Sequence, residues 1–190
     1  MPSPQPIRIT RTGRMGRADL DTAAGRVTVI TASPGSIARA AVAARRSIGR
    51  LSADQVPGTI SLRSAVDLDL AVEQAAEAAG CGVTVTMAGD VSIAGPSPAP
   101  GWRIGLRDWS IRMPAGGLAT ARNQGPDGAW RSITVAANTW RAARTAAGRA
   151  LERGQEAAVW LGANDLRARL VRLDGTITYS GIWPLEQPAA

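Results

Sequence analysis

The sequence contains no histidine and no phenylalanine, one tyrosine and one cysteine. Lysine is missing as well, so all 22 of its cationic side chains are arginines. Each absence removes a class of chemistry. Without histidine no side chain has an ordinary pKa suited to a near-neutral base. The single Cys81 excludes an intrachain disulfide and any cysteine-based metal cluster, and a catalytic thiol would have no imidazole to activate it. Flanked by Gly80 and Gly82, it reads as a small packing residue. No run reaches the roughly 18 apolar residues of a transmembrane helix. The opening MPSPQPIRITRTGRMG carries charge but lacks the apolar core of a secretory leader. A cytoplasmic protein away from membranes is expected.

What is present is mostly alanine, arginine, glycine and proline, with a formal net charge of +7. The arginines are scattered along amphipathic stretches. Nucleic-acid binding asks for a concentrated basic patch with interleaved aromatics, so no nucleic-acid partner is expected. A chain of 190 residues suffices for one domain with a sizeable core. Residues 1–24 read as a poorly ordered or extended arm with one possible strand at IRITR. Residues 25–185 read as a single α+β domain, with a mixed or antiparallel sheet and helices on its faces. Residues 186–190 read as a tail.

Within the domain, RVTVITA (26–32) alternates like a strand. SPGSIARAAVAARRSIGRL follows as a helix, with Ser33 as N-cap and Pro34 in its first turn. Ile37, Ala41, Ala44, Ile48 and Leu51 share its apolar face, and Arg39, Arg46 and Arg50 point away. SADQVPGT is a linker and ISL a short strand. Residues 67–80 form a helix ended by Gly80, with Leu68, Val72, Ala75 and Ala79 inward. Its Asp69, Glu73 and Glu77, at i, i+4 and i+8, repel one another and read as a solvated face, the alternative being a basic helical partner such as the helix over 34–51. Strands follow at GVTVTMAGDVSIAG, GWRIGLRDWSIRM, GGLATAR and WRSITVAA. A helix from 138 to 153 has Asn138 as N-cap and Trp140, Ala143, Ala147 and Leu151 inward. QEAAVWLGA is a short helix, and ARLVRLDGTITYSG a hairpin turning at Asp174-Gly175. In MAGDVSIAG, a strand runs into the small-residue turn Ala88-Gly89-Asp90. Such turns let backbone N–H groups approach an anion.

The order of these segments resembles one family. TVITASPGSIARAAVAARRSIGRL looks like the first strand and helix of the ApbE-like flavin transferases (FAD:protein FMN transferases). AVEQAAEAAGCGVTVTMAGDVSIAGPSPAPGWRIGL is similar to that family's helix, its Gly-Gly-Asp turn and its following strand. GGLATAR resembles its Ala-Thr-Ser strand, and WRSITVAANTW through SGIWP follows its C-terminal part. The resemblance covers most of residues 26–184 and implies a compact core of the ApbE-like, T-fold-like architecture. It also implies FAD with magnesium as cofactors and transfer of FMN to a protein hydroxyl.

The chemical positions of the family are changed here. Its Asp-Leu-Gly-Gly-Ile-Ala-Lys-Gly stretch is replaced by LRSAVDLDL, and of its His-rich segment only NQGPDG remains. The resemblance places a magnesium-ligating Asp and Thr on the helix after WRSITV, where this chain carries Arg144 and Gly148. Roughly a hundred residues of flavin-binding wall shrink to SADQVPGTISLRSAV. Gly89, Asp90, Ala119 and Thr120 survive from the matching motifs.

This pattern leads to an ApbE-like protein that has lost flavin and magnesium chemistry. Its expected role is a cofactor-independent small-molecule enzyme of cyclase or isomerase type, as in natural-product biosynthesis. The expectation is no metal and no cofactor, with an apolar organic molecule as partner. Asp90 and Asp127 are the candidate catalytic carboxylates, ahead of Asp108 and Asp67. Gly89, Trp102, Thr120, Trp130, Trp140 and Arg144 are the candidate ligand-binding residues, the tryptophans offering apolar surface. The alternatives are a non-catalytic ligand- or partner-binding protein and a residual FAD:protein FMN transferase using FAD with magnesium. The sequence leaves the oligomeric state open.

Overall fold

Met15–Thr22, with sequence MGRADLDT, turns Gly16, Ala18 and Leu20 inward and Arg17 and Asp21 outward. That period of two makes it a strand, β2, in a segment the sequence suggested to be an arm. It follows β1 (Arg8–Thr12) and precedes β3 (Gly25–Thr31). In this computed structural model, residues 7–54, 66–106, 109–125, 128–183 and 187–188 are described. The linker 52–59 lies largely outside them, as do the ISL segment, Asp108 and Asp127; for Arg50 and Leu51 only the helical backbone is described.

The chain divides into two compact units, residues 1–102 and 103–190. In the first, β1, β2, β3, β4 (Val83–Met87) and β5 (Asp90–Ala94) pair in that order, each antiparallel to the next. Two helices lie against them, α1 (Ile37–Asp54) on β2 and β3 and α2 (Leu68–Ala79) on β4 and β5. A 3₁₀ turn over Pro34–Ser36 opens α1, and Ser33 precedes it without a side-chain capping bond. Ile37, Ala41, Ala44 and Ile48 are buried, as their spacing predicts. The start of α1 runs so close to β2 that a Cβ at Gly16 would lie 2.7 Å from the Ile37 Cβ.

Helix α2 has both ends written in its sequence. Asp67 caps it, accepting from the Asp69 and Leu70 N–H groups at 3.1 and 3.3 Å. Gly80 closes it in the left-handed region at φ 67°, where a residue without Cβ is favoured. Exposed Arg39 of α1 donates to the terminal carbonyls of Ala78 and Ala79, at 3.0 and 3.4 Å.

The second unit contains an antiparallel sheet in the order β8 (Gly116–Arg122), β9 (Trp130–Ala137), β10 (Arg167–Arg172), β11 (Ile177–Ser180). A smaller sheet is ordered β12 (Gln187–Pro188), β7 (Trp109–Met113), β6 (Trp102–Leu106). Part of the segment expected as a tail is thus a strand. Helix α3 (Trp140–Glu152) packs on β8 and β9, and α4 (Ala157–Ala163) packs on β10 and β11. Trp130, Ile133, Val135, Ala147, Leu161 and Leu170 form the centre of this core. The N-cap of α3 is Thr139, one residue beyond the expected Asn138. Its hydroxyl oxygen accepts from the Ala142 N–H at 3.1 Å.

Candidate functional site

Strand β8 passes along α3 at very short range. A Cβ at Gly117 would fall on the backbone of Thr139 and Trp140, so only glycine lets the strand pass there. Further along, a cleft of about 200 Å³ lies between the two elements. Ala119, Thr120 and Ala121 of β8 form one wall, and Arg144, Ala147 and Gly148 of α3 form the other. Arg144 and Gly148 fall on one face because they are four residues apart.

Thr120 pairs across the sheet with Thr134 of β9, their hydroxyl oxygens 2.9 Å apart. The contact holds the Thr120 side chain at the cleft wall. The Arg144 guanidinium lies 5.4 Å from the centroid of the Trp140 ring, a cation–π distance. A Cβ at Gly148 would meet nothing within 4 Å. Glycine there widens the cleft and is not demanded by packing. The six lining side chains therefore offer one hydroxyl and one guanidinium, surrounded by methyl groups and bare backbone.

The structure thus brings together Thr120 and Arg144 of the expected ligand-binding set. Thr134 was not foreseen, since a cross-strand register is invisible in one strand alone. The three tryptophans are buried, with Trp102 and Trp130 at 2% exposure and Trp140 at 3%. Trp130 donates from Nε1 to the Gly154 carbonyl at 2.6 Å and carries the Arg172 guanidinium over its ring.

Gly89 and Asp90 belong to the first unit. Ala88 and Gly89 have φ of 53° and 92° and join β4 to β5, and Met87 pairs with Asp90. Positive φ at both central residues marks the tight hairpin turn whose twist suits the flanking strands. The glycine that suggested an anion-binding turn is thereby explained by hairpin geometry. Asp90 itself is buried, and it is the one buried carboxylate among the described residues. Asp67 serves as the cap of α2. No group of three or more His, Cys, Asp or Glu side chains placed to hold a metal ion occurs among the described residues. Likewise, no helix among them is long and apolar enough to cross a membrane.

A largely antiparallel α+β architecture with helices against its sheets is the class to which the chain belongs. Within that class, its fold is similar to that of the ApbE flavinyl transferase of Pseudomonas stutzeri in its apo form. The TM-score is 0.50 at 16% identity, over 60% of this chain and 45% of that one. The ApbE protein of Thermotoga maritima gives 0.48 at 20% identity, over 60% and 47%. The flavin transferase ApbE of Vibrio cholerae gives 0.47 at 15%, over 66% and 55%. The chain spans about half the length of these proteins. No protein-family profile and no curated protein sequence matches it. The fold is ApbE-like, as the order of motifs in the sequence implies.

Proposed function

We propose that this chain is a shortened, divergent ApbE-like protein whose α3–β8 cleft binds a small organic molecule carrying a negative group. In this reading it works in the cytoplasm without magnesium-bound FAD. The observation that carries the reading is the pairing of Arg144 and Gly148 with Thr120 around one cleft. Magnesium takes oxygen ligands in near-octahedral order. A guanidinium and a glycine where the resemblance implies carboxylate and hydroxyl ligands do not fit it, and a fixed cation repels a second one. The same guanidinium suits a carboxylate or phosphoryl oxygen, which it holds by charge-assisted hydrogen bonds. Thr120, steadied by Thr134, supplies a second polar contact, and the alanine walls accept an apolar body.

The finer reading is a cofactor-independent enzyme of cyclase or isomerase type, as in natural-product biosynthesis. Such a reaction needs positioning and one proton-transferring group. Asp90 and Asp127 are the carboxylates the sequence offers for that role. Asp90 is buried in the first unit and is not among the residues lining the α3–β8 cleft, and the Asp90→Asn variant tests it. The amide keeps the side-chain shape but cannot ionise, so turnover should fall while folding persists. Unchanged turnover returns Asp90 to a purely structural role and favours the binding-protein reading.

Calorimetric titration with FAD and magnesium tests the main reading. No binding in the low micromolar range is expected, and Arg144→Gln should weaken the binding of small organic carboxylates. The ApbE-like fold favours a second reading, a residual FAD:protein FMN transferase. It requires the opposite result, magnesium-dependent FAD binding at micromolar concentration.

A further inference from the structure

The sequence gives no sign that its scattered arginines gather anywhere. On α3 they do, away from the Arg144 cleft. Arg141, Thr145 and Arg149 follow at intervals of four residues and so share a face. All three are exposed and line one cleft of about 540 Å³ with the half-buried Trp160 and Leu166. Small-molecule sites commonly fall in this size range. The residues lining it include no Asp or Glu.

We propose that this cleft between α3 and α4 is a binding site for a small organic diphosphate. The helix sets Arg141 and Arg149 about 12 Å apart along its axis, with Thr145 midway. Two guanidiniums reaching inward from those positions bracket an anion several ångströms long. A diphosphate meets both, whereas a single carboxylate meets one. Arginine presents planar N–H forks matched to phosphoryl oxygens, and the Thr145 hydroxyl donates between them. Besides polar Thr139 and Asn164, the rest of the lining is apolar at Ala142, Ala146 and Leu166 and aromatic at Trp160. The Arg153 guanidinium lies 4.8 Å from the Trp160 ring centroid and holds that ring in place. An organic body attached to the diphosphate rests on this floor.

The site shares no lining residue with the Arg144 cleft, so the two proposals stand or fall separately. The test is calorimetric titration of the full chain at physiological salt with inorganic phosphate, inorganic pyrophosphate and ADP. Pyrophosphate should bind at least about tenfold tighter than phosphate, and ADP tighter than pyrophosphate if Trp160 and Leu166 take the organic body. Arg149→Gln should weaken pyrophosphate binding by about tenfold, and Thr145→Val by a smaller factor. Arg112→Gln, the same charge change at an exposed position on β7, should leave it unchanged. Circular dichroism establishes that each variant is folded, and Thr145→Val carries the test if Arg149→Gln is not. Equal affinity for phosphate and pyrophosphate overturns the proposal. So does undetectable pyrophosphate binding at millimolar concentration, or an equal loss in Arg112→Gln. ADP binding no tighter than pyrophosphate overturns the organic part of it.

Discussion

At the scale of single residues, the replacement of lysine by arginine has visible consequences. Four of the six tryptophans carry a guanidinium over the ring at 4.7 to 5.4 Å. A planar, weakly hydrated cation stacks on an indole face in a way an ammonium does not. Asp19 shows arginine acting on a carboxylate. Its burial alone would raise the pKa. Hydrogen bonds from Arg17 and Thr28, with the charges of Arg17 and Arg26, outweigh that and hold it below 3.8. A carboxylate depressed in the folded state stabilises it above the unfolded pKa, and the contribution fades as pH falls through the folded value. Asp19→Asn is therefore expected to lower the melting temperature slightly at neutral pH, the group being near the surface. Its difference from the parent should shrink as melting curves are taken below pH 3.8. A gap that stays constant down to acid pH would remove the ionised carboxylate from the account.

Secondary-structure elements were legible to the extent that their ends and faces carry chemical signals. Helix α2 was fully readable, because Asp67 supplies a capping oxygen and Gly80 the left-handed exit. Replacing Gly80 with alanine forces a Cβ into that exit and should cost about 1 kcal/mol in chemical denaturation. Helix α3 was readable except for its first residue, since Asn138 and Thr139 are adjacent good caps. The structure decides for Thr139. Thr139→Ala is thus expected to cost about 1 kcal/mol, and Asn138→Ala less than about 0.5 kcal/mol. The reverse order in urea unfolding would return the cap to Asn138. Strand β2 escaped because its inward residues include Gly16 and Ala18, whose hydrophobic contrast with the outward face is weak. Yet the missing side chain of Gly16 is what admits the start of α1 so closely. The site was partly legible for a related reason. Arg144 and Gly148 follow from helical spacing, and Thr120 from its motif. The burial of Trp102, Trp130 and Trp140 depends on which neighbours fold over them, and no local pattern encodes that.

Across the whole molecule, the missing histidine bears on stability as well as catalysis. No side chain here has an ordinary pKa between those of the carboxylates and that of Cys81. Proton uptake on unfolding is then close to zero over that interval, and linkage makes stability flat in pH. Melting temperatures from pH 5.5 to 7 should agree within about 2 °C at constant ionic strength. A steeper dependence would overturn this expectation. The division of the chain at residue 102 has an optical counterpart. Of the six tryptophans only Trp102 lies in residues 1–102, and the other five fall in residues 103–190. Fluorescence therefore watches mainly the second unit, whereas far-ultraviolet dichroism weighs the helices of both. Recorded through one denaturant series, the two signals become separate clocks for the two halves of the chain. A single indole-to-alanine exchange among the five would sharpen the contrast further by dimming one known position.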